Sequence, residues 1–254
     1  MKKYELTDET KVVNGVTLHR IRAVRDIPEH AIKSGDLGGW LETAKNLSHD
    51  GAAWVMDSAY VMGKARVADS ALVTDSARVM DSAYVMDFAR VTGKALVADF
   101  ARVMGKARVA DSARVMGKAR VTGKALVADS ALVTDSAHVM DFARVMGKAL
   151  VTDFAHVMGK ARVADSARVM GKARVMDASD YITIGAIGSR DDTTTFYRGT
   201  DGGIYVSCGC FSGSIDDFAA KVKAVHAGTK HEKTYLLAVE LAKAQINVEG
   251  EVNK

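Results

Sequence analysis

Two histidines in the middle of the chain have residue type and spacing that could support acid–base chemistry. His138 and His156 lie eighteen residues apart. An imidazole titrates near neutral pH and can serve as a general base. Elsewhere in the surrounding repeat the same position holds Arg, Tyr or Leu, and an Arg codon can become a His codon by one base change. We therefore interpret both histidines as variants at a position of this repeat that faces outward, and we predict no catalytic residue.

The C-terminal region contains a second group of residues with chemical potential. Cys208 and Cys210 form a Cys-x-Cys pair, which would project from one face of a strand. Two cysteines alone make a poor metal site, so we predict reduced thiols and neither a metal nor a cofactor. Arg190 and Arg198 could line a small site with this pair. A structural role in a small sheet is the interpretation that we favour.

The element that must position the histidines is a six-residue repeat. Valine recurs at every sixth position from Val55 to Val175, and alanine stands two residues earlier, from Ala53 to Ala173. Alternation along a strand sends Ala and Val inward, while Asp or Gly provides the corner conformation. Three hexads close a coil of eighteen residues. The pattern predicts an all-β solenoid, a parallel β-helix of about seven coils and about 34 Å in length.

Three segments follow from this repeat: a β cap over residues 1–54, the β-helix over 55–177 and a small α+β module over 178–254. The cap contains a predicted hairpin over Lys11–Ile21, with Asn14-Gly15 at its turn. In the module we predict strands at 182–184, 194–197 and 204–207, and a helix start at Ser214. Two helical apolar faces follow, formed by Phe218, Val222 and Val225 and by Tyr235, Val239, Ala242 and Ile246.

The outer positions suggest how the repeat grew. Residues 57–110 and 111–164 are identical at 43 of 54 positions, and 54 residues correspond to three whole coils. A shorter block, Val67–Asp81, instead matches Val127–Asp141 at a spacing of 60, which moves side chains to another face. The order of residues on the outer surface was therefore not strictly kept. This history favours a structural role for the rod.

The flanks of the repeat give a more specific resemblance. Gly38-Gly39-Trp40, Asn46-Leu47-Ser48, Gly51 and Trp54-Val55 resemble the corresponding segment of YdcK-type hexapeptide proteins of enteric bacteria and their prophages. The segments 184–190 and 205–211 are similar to a module that closes some phage-encoded relatives. The resemblance implies a left-handed parallel β-helix, a bacterial or prophage origin and no established activity.

Other left-handed β-helices are acyltransferases, and the resemblance therefore raises an alternative function. In those enzymes a histidine at a subunit boundary acts as the base, which here would be His138 or His156. They usually build the acceptor pocket from a loop that leaves the coil. No insertion interrupts the hexads between Val55 and Val175. We therefore predict that the protein is not an enzyme, with acyl transfer as the alternative.

The charge and apolar content of the outer positions bear on partners. The net charge is +4, and thirteen corner Asp residues interleave with the Arg and Lys of the rod, which disfavours nucleic acid as a partner. No stretch is apolar enough to span a membrane. No apolar run follows Lys2-Lys3, so a secretory signal is not expected and we predict a cytoplasmic protein.

Outward apolar residues favour assembly. Met, Leu and Phe recur at outer positions, and Met-rich faces suit adaptable protein contacts. We predict a non-enzymatic scaffold that forms a homo-oligomer or binds a protein partner through these faces. They carry Met56, Met62, Met80, Met86, Met104, Met116, Met140, Met146, Met158, Leu72, Leu96, Leu126, Leu132, Leu150, Phe88, Phe100, Phe142 and Phe154.

Overall fold

The structure is a computed structural model, and it describes residues 2–246, so residues 247–254 of the predicted C-terminal module lie outside it. The described chain folds as a parallel β-solenoid with a β cap at one end and an α+β module at the other, which confirms the predicted fold class. Each hexad contributes one two-residue strand. These strands are β4 (Trp54–Val55), β5 (Tyr60–Val61), β6 (Arg66–Val67), β7 (Leu72–Val73), β8 (Arg78–Val79), β9 (Tyr84–Val85), β10 (Arg90–Val91), β11 (Leu96–Val97), β12 (Arg102–Val103), β13 (Arg108–Val109), β14 (Arg114–Val115), β15 (Arg120–Val121), β16 (Leu126–Val127), β17 (Leu132–Val133), β18 (His138–Val139), β19 (Arg144–Val145), β20 (Leu150–Val151), β21 (His156–Val157), β22 (Arg162–Val163), β23 (Arg168–Val169) and β24 (Arg174–Val175).

The strands stack into three parallel sheets, which are the three faces of the rod. Face 1 contains β5, β8, β11, β14, β17, β20 and β23, face 2 contains β6, β9, β12, β15, β18, β21 and β24, and face 3 contains β4, β7, β10, β13, β16, β19 and β22. Within a face each valine lies beside the valine eighteen residues away, as Val91 lies beside Val73 and Val109. The coil therefore has three hexads, as predicted.

Between Ala53 and Val175 the inward positions of the rod are held by alanine and valine. Every inward Ala from Ala53 to Ala173 and every inward Val from Val55 to Val175 has no exposed surface. The outer residues bond their backbone N–H groups to the next coil, as Arg90 donates to the carbonyl of Ala107. Packing by the small side chains and these backbone bonds together stabilise each coil against its neighbours.

The corners depend on Asp and Gly for their backbone conformation. Twelve of the thirteen corner Asp residues have φ between 54° and 62°, in the left-handed region where most side chains are strained. The corner carboxylates also accept hydrogen bonds from the backbone of the next coil. Asp129 Oδ2, for example, accepts a hydrogen bond from the N–H of Gly147 in the next coil at 2.8 Å. Asp is therefore tolerated at the turn and also satisfies a backbone donor.

The solenoid begins before the first valine of the repeat. Strands β1 (Tyr4–Val13) and β2 (Val16–Ala23) form the predicted hairpin, with Asn14 and Gly15 at positive φ, and β2 pairs with β3 (Leu37–Leu41). Strand β3 then pairs in parallel with β5, with Leu41 beside Val61. Leu47 forms a parallel bridge with Val67. These leucines supply the first two sides of an additional coil, so the rod has about eight coils.

The cap closes the open end of this first coil. Trp54 is fully buried, and Tyr4 meets its ring edge-on at a centroid distance of 6.4 Å. The Tyr4 hydroxyl lies within hydrogen-bond distance of the carbonyl oxygens of Ala44 and Leu47, at 2.8 Å and 2.9 Å. Short 3₁₀ turns at Pro28–His30 and Ala44–Asn46 complete the cover. The cap therefore shields the apolar surface that an unprotected solenoid end would expose.

The C-terminal module is a four-stranded antiparallel sheet with two helices. Its strands are β25 (Tyr181–Ile187), β26 (Asp192–Arg198), β27 (Ile204–Cys208) and β28 (Phe211–Ser214), and 3₁₀ turns occupy Ala178–Asp180 and Gly188–Arg190. The helices are α1 (Ile215–His226) and α2 (Lys230–Gln245). No helix within residues 2–246 is long and apolar enough to cross a membrane.

The predicted apolar faces of the two helices are mostly confirmed. Ser214 caps α1 through its hydroxyl, which accepts from the N–H of Asp217 at 3.1 Å. On α1 the prediction was wrong for Val225, which is 59 % exposed because the face that packs on the sheet ends at Val222. The residues predicted for the second face are all buried, with Tyr235, Val239 and Ala242 on α2 and Ile246 directly after it.

The module packs directly on the last coil of the rod. Tyr197 is buried in the core of the rod, and the Thr195 hydroxyl accepts from the N–H of Arg168 at 3.0 Å. Asp180 and Arg198 form an ion pair at 3.6 Å beside this junction. The far end of the solenoid is therefore also covered.

Candidate functional site

The two rod histidines form a stacked pair on face 2. His138 and His156 lie beside each other on β18 and β21, with ring centroids 4.9 Å apart, and both are half-buried. Arg120 precedes them and Arg174 follows them in the same column. Burial lowers the pKa of His138, and the charges of His156 and Arg120 lower it further. His138 is therefore held towards its neutral state.

The residues around this pair can be compared with the arrangement that a catalytic histidine usually has. A catalytic imidazole is normally oriented by a carboxylate or carbonyl and faces a pocket that holds the acceptor. Among the described residues neither imidazole pairs with a carboxylate. The coils around them run on without an inserted loop. The geometry agrees with two variants of an outer position.

A cavity of about 260 Å³ lies in the C-terminal module between the sheet and α1. Its walls are mainly apolar, from Phe211, Phe218, Val222 and Tyr235. Arg190, Lys221 and His226 contribute polar groups, together with both cysteines. Of the residues that the sequence grouped here, the structure brings Arg190, Cys208 and Cys210 together. Arg198 lies instead at the junction with the rod, in its ion pair with Asp180.

The two thiols of this cavity differ in environment. Cys208, at the end of β27, is half-buried, and its sulfur accepts from the Thr194 hydroxyl at 3.1 Å. Its thiol lies 3.7 Å from the Tyr235 hydroxyl, and burial followed by this contact raises the pKa of Tyr235 to about 12. Cys210 is exposed in the turn after Gly209, so the two cysteines do not share one strand face as we had expected. Both are free thiols.

Face 1 is the most apolar side of the rod. Its outward positions hold Tyr60, Leu96, Leu132 and Leu150 beside Met62, Met80, Met116 and Met170, all half-buried against their neighbours. Three arginines interrupt the apolar residues of the rod coils, and one of them, Arg168, is held by the carbonyl of Gly209 at 3.2 Å. Phe100 and Phe154, at the corner between faces 1 and 2, are 64 % and 65 % exposed.

The corner between faces 2 and 3 has a different character, and we call it edge 2/3. Along five successive coils it carries two exposed phenylalanines, seven cations and two carboxylates. These residues are Phe88, Phe142, Arg90, Lys106, Arg108, Lys124, Arg144, Lys160, Arg162, Asp87 and Asp141. Lys124 Nζ lies 4.9 Å from the centroid of the Phe142 ring. An open depression of about 380 Å³ is lined by Phe142, Arg144, Lys160 and Arg162.

The rod cations are not neutralised by direct contact. Within the described chain no Arg or Lys of the repeat forms an ion pair with a carboxylate. The carboxylates of edge 2/3 are instead used along the corner, where Asp87 and Asp141 each accept from the N–H of the next corner glycine. The interleaving of charges along the sequence does not place opposite charges against one another.

Sequence reasoning missed two of these arrangements. The cavity residues come from four separate segments with no common period, and only the packing of the module unites them. Edge 2/3 could have been found by writing the repeat in rows of eighteen, because residues at that spacing stack on one corner.

No known family model matches the chain, and a search of curated proteins also finds no match.

Proposed function

We propose that the protein is a non-enzymatic scaffold of bacterial or prophage origin, a rigid β-helical rod that pairs with a second copy of itself through face 1. Cytoplasmic conditions would keep Cys208 and Cys210 reduced. The observation that supports this proposal most strongly is the concentration of Tyr, Leu and Met side chains at the outward positions of face 1, on a rod whose two ends are covered by the cap and the module. Flat apolar surfaces of this kind suit burial against another protein.

A second copy is the occupant that suits the face best. A twofold pairing brings the same patch of two chains together, so a surface need only complement itself. Thioether and leucine side chains can adapt to one another across such a contact. Phe100 and Phe154 stand at the border of face 1 and can cover its margin. The free arginines Arg78 and Arg114 lie apart on the face, each beside apolar neighbours that a partner can bury.

Charge substitutions on two different faces test the pairing. Leu132 on face 1 and Leu126 on face 3 are half-buried leucines at the same position of the hexad. Leu132→Lys places a charge inside the proposed contact, whereas Leu126→Lys makes the same chemical change elsewhere. Light scattering after gel filtration should give a dimer for the wild type and for Leu126→Lys and a monomer for Leu132→Lys. A dimer that survives Leu132→Lys combined with Leu96→Lys would contradict the assignment of face 1.

The exposed phenylalanines provide a second test of the same contact. Phe100→Ser with Phe154→Ser creates Asp-Ser corners, which the rod already uses at other positions. We expect the dimer to dissociate at least about fivefold more readily, because two exposed rings no longer cover the margin of the contact. Phe88→Ser with Phe142→Ser, on edge 2/3, is the matched control and should leave dimerisation unchanged.

A further inference from the structure

We propose that edge 2/3 binds single-stranded nucleic acid, with the phosphates held by its arginines and lysines and the bases stacked on Phe88 and Phe142. This inference goes beyond the proposed pairing through face 1, because it uses another surface of the rod. It rests on the placement of aromatic and cationic side chains along this corner.

Edge 2/3 carries two copies of one arrangement of residues. Phe88, Arg90, Lys106 and Arg108 recur as Phe142, Arg144, Lys160 and Arg162, each after 54 residues. In each copy the ring stands at an Asp-Phe corner, and the Lys and second Arg follow on the next coil. Three coils separate the copies, which places the two phenylalanines about 14 Å apart along the rod. Lys124 lies between the copies and continues the line of positive charge.

The phenylalanine rings and the charged side chains of edge 2/3 are both accessible to a ligand. Phe88 is 61 % exposed and Phe142 is 57 % exposed, and the four arginines and three lysines of the edge are all exposed. The two carboxylates of the edge bond the backbone of the next coil, Asp87 at 2.8 Å from the nitrogen of Gly105 and Asp141 at 3.1 Å from that of Gly159. Within the described residues no cation of the edge forms an ion pair with a carboxylate, so these charges can meet phosphates.

The combination favours a single strand over other anions. Proteins that bind single strands with little sequence preference combine a cationic track with aromatic rings on which the bases stack. A simple polyanion would use the charges but not the rings. In a duplex the base faces are already covered by their neighbours, so the phenylalanines could contribute little. The depression lined by Phe142, Arg144, Lys160 and Arg162 brings one ring and three cations together.

Fluorescence anisotropy with a labelled oligothymidylate of about twelve nucleotides tests this proposal. The wild type should bind this strand more tightly than a duplex of equal length. Phe88→Ser with Phe142→Ser should weaken binding at least about fivefold, since stacking contributes on the order of 1–3 kcal/mol per base. Equal binding of strand and duplex, or no effect of the double substitution, would overturn the proposal.

Lysine substitutions provide a matched control for charge. Lys106 and Lys160 follow corner glycines 54 residues apart on edge 2/3, and Lys94 and Lys148 do the same on the corner between faces 3 and 1. Lys106→Ser with Lys160→Ser should flatten the dependence of log affinity on log salt by about 1.4, since each phosphate contact on a single strand contributes about 0.7. Lys94→Ser with Lys148→Ser should leave this slope unchanged. Equal effects of both pairs would contradict the edge assignment.

A polyanion without bases separates the nucleic acid from an acidic partner. Inorganic polyphosphate of similar charge should compete weakly, and its inhibition constant, corrected for the affinity of the labelled strand, should be insensitive to Phe88→Ser with Phe142→Ser. If polyphosphate competes as well as the oligonucleotide, the edge is a charge-only surface and the proposal fails. Light scattering on the same samples reports dimerisation through face 1, so failure of either proposal is seen separately.

Discussion

At the scale of single residues, the two cysteines of the module should differ in reactivity. Cys210 is exposed, whereas Cys208 is half-buried and contacts Thr194 and Tyr235. Access limits thiol modification as much as ionisation does. Native protein treated with iodoacetamide should therefore be modified first at Cys210, as peptide mass spectrometry would report. Equal labelling of both thiols in the folded protein would contradict the described environment of Cys208. The Cys210→Ser variant is the control, because it allows the labelling rate of Cys208 to be measured alone.

Lys3 in the cap is a buried cation whose pKa is strongly displaced. Its side chain has no exposed surface, and Nζ lies 3.4 Å from the carbonyl oxygens of Asp50 and Gly51. Burial, and then the charge of Arg25, lowers the pKa of Lys3 from 10.5 to about 8. Between these values the unfolded chain binds more protons than the folded chain. The contribution of Lys3 to stability therefore rises with pH above about 8, as the buried ammonium loses its charge.

A neutral side chain at this position should remove that pH dependence. We expect Lys3→Met to raise the melting temperature at pH 7 and to abolish the component that increases between about pH 8 and pH 10. Lys2→Met, at an exposed neighbouring position, should do neither. Thermal unfolding followed by circular dichroism across this pH range is the measurement. A lower melting temperature for Lys3→Met would show that the two carbonyl contacts outweigh the cost of burying the charge.

At the scale of elements, the corner aspartates should contribute more to the stability of the rod than their exposure suggests. Asp129 has φ of 59° and accepts from the N–H of Gly147 at 2.8 Å. Asp129→Ala should destabilise the coil by about 1–3 kcal/mol, from left-handed strain and the lost hydrogen bond. Asp129→Asn keeps both a tolerant backbone and an acceptor, so its effect should be much smaller. Faster hydrogen exchange at the Gly147 amide in Asp129→Ala, with no change in Asp129→Asn, would be the local sign.

The same elements show what the sequence could and could not predict. The hexad predicted strand, corner and coil length, because inward Ala and Val obey one period throughout. The first coil does not follow this pattern, since Leu41 and Leu47 replace valine and Val55 comes eight positions after Leu47 instead of six. The cavity beside Cys208 also escaped it, because its walls meet only when α1 and α2 pack on the sheet. Local periodicity predicts repeated contacts well and long-range contacts poorly.

At the scale of the whole molecule, the rod should tolerate a change of length in units of one coil. Strands pair with those eighteen residues away, so removal of residues 111–128 joins Ala110 to Asp129 and restores the Val-Ala-Asp-Ser order. We expect this variant to fold, with a β-rich circular dichroism spectrum and a slightly smaller frictional ratio. Removal of residues 111–125 breaks the hexad and should give aggregated protein. Failure of the eighteen-residue deletion to fold would show that the coils are not equivalent.

The whole rod is also the unit on which the proposed function depends. Its cap and module cover both ends, which leaves the long faces as the surfaces for association. Face 1 is apolar, and edge 2/3 is cationic and aromatic. One rod can therefore offer separate surfaces to two different partners. Edge 2/3 lies opposite face 1 on the three-faced rod, so the cross-section of the rod sets the distance between the two partners.

Sedimentation equilibrium of the wild-type chain over a wide range of concentrations tests the central claim most directly. Pairing through face 1 predicts a mass that rises with concentration and reaches twice that of one chain. The same series on Leu132→Lys should remain at the mass of a single chain. A wild-type protein that stays monomeric at the highest concentration would contradict the proposed scaffold.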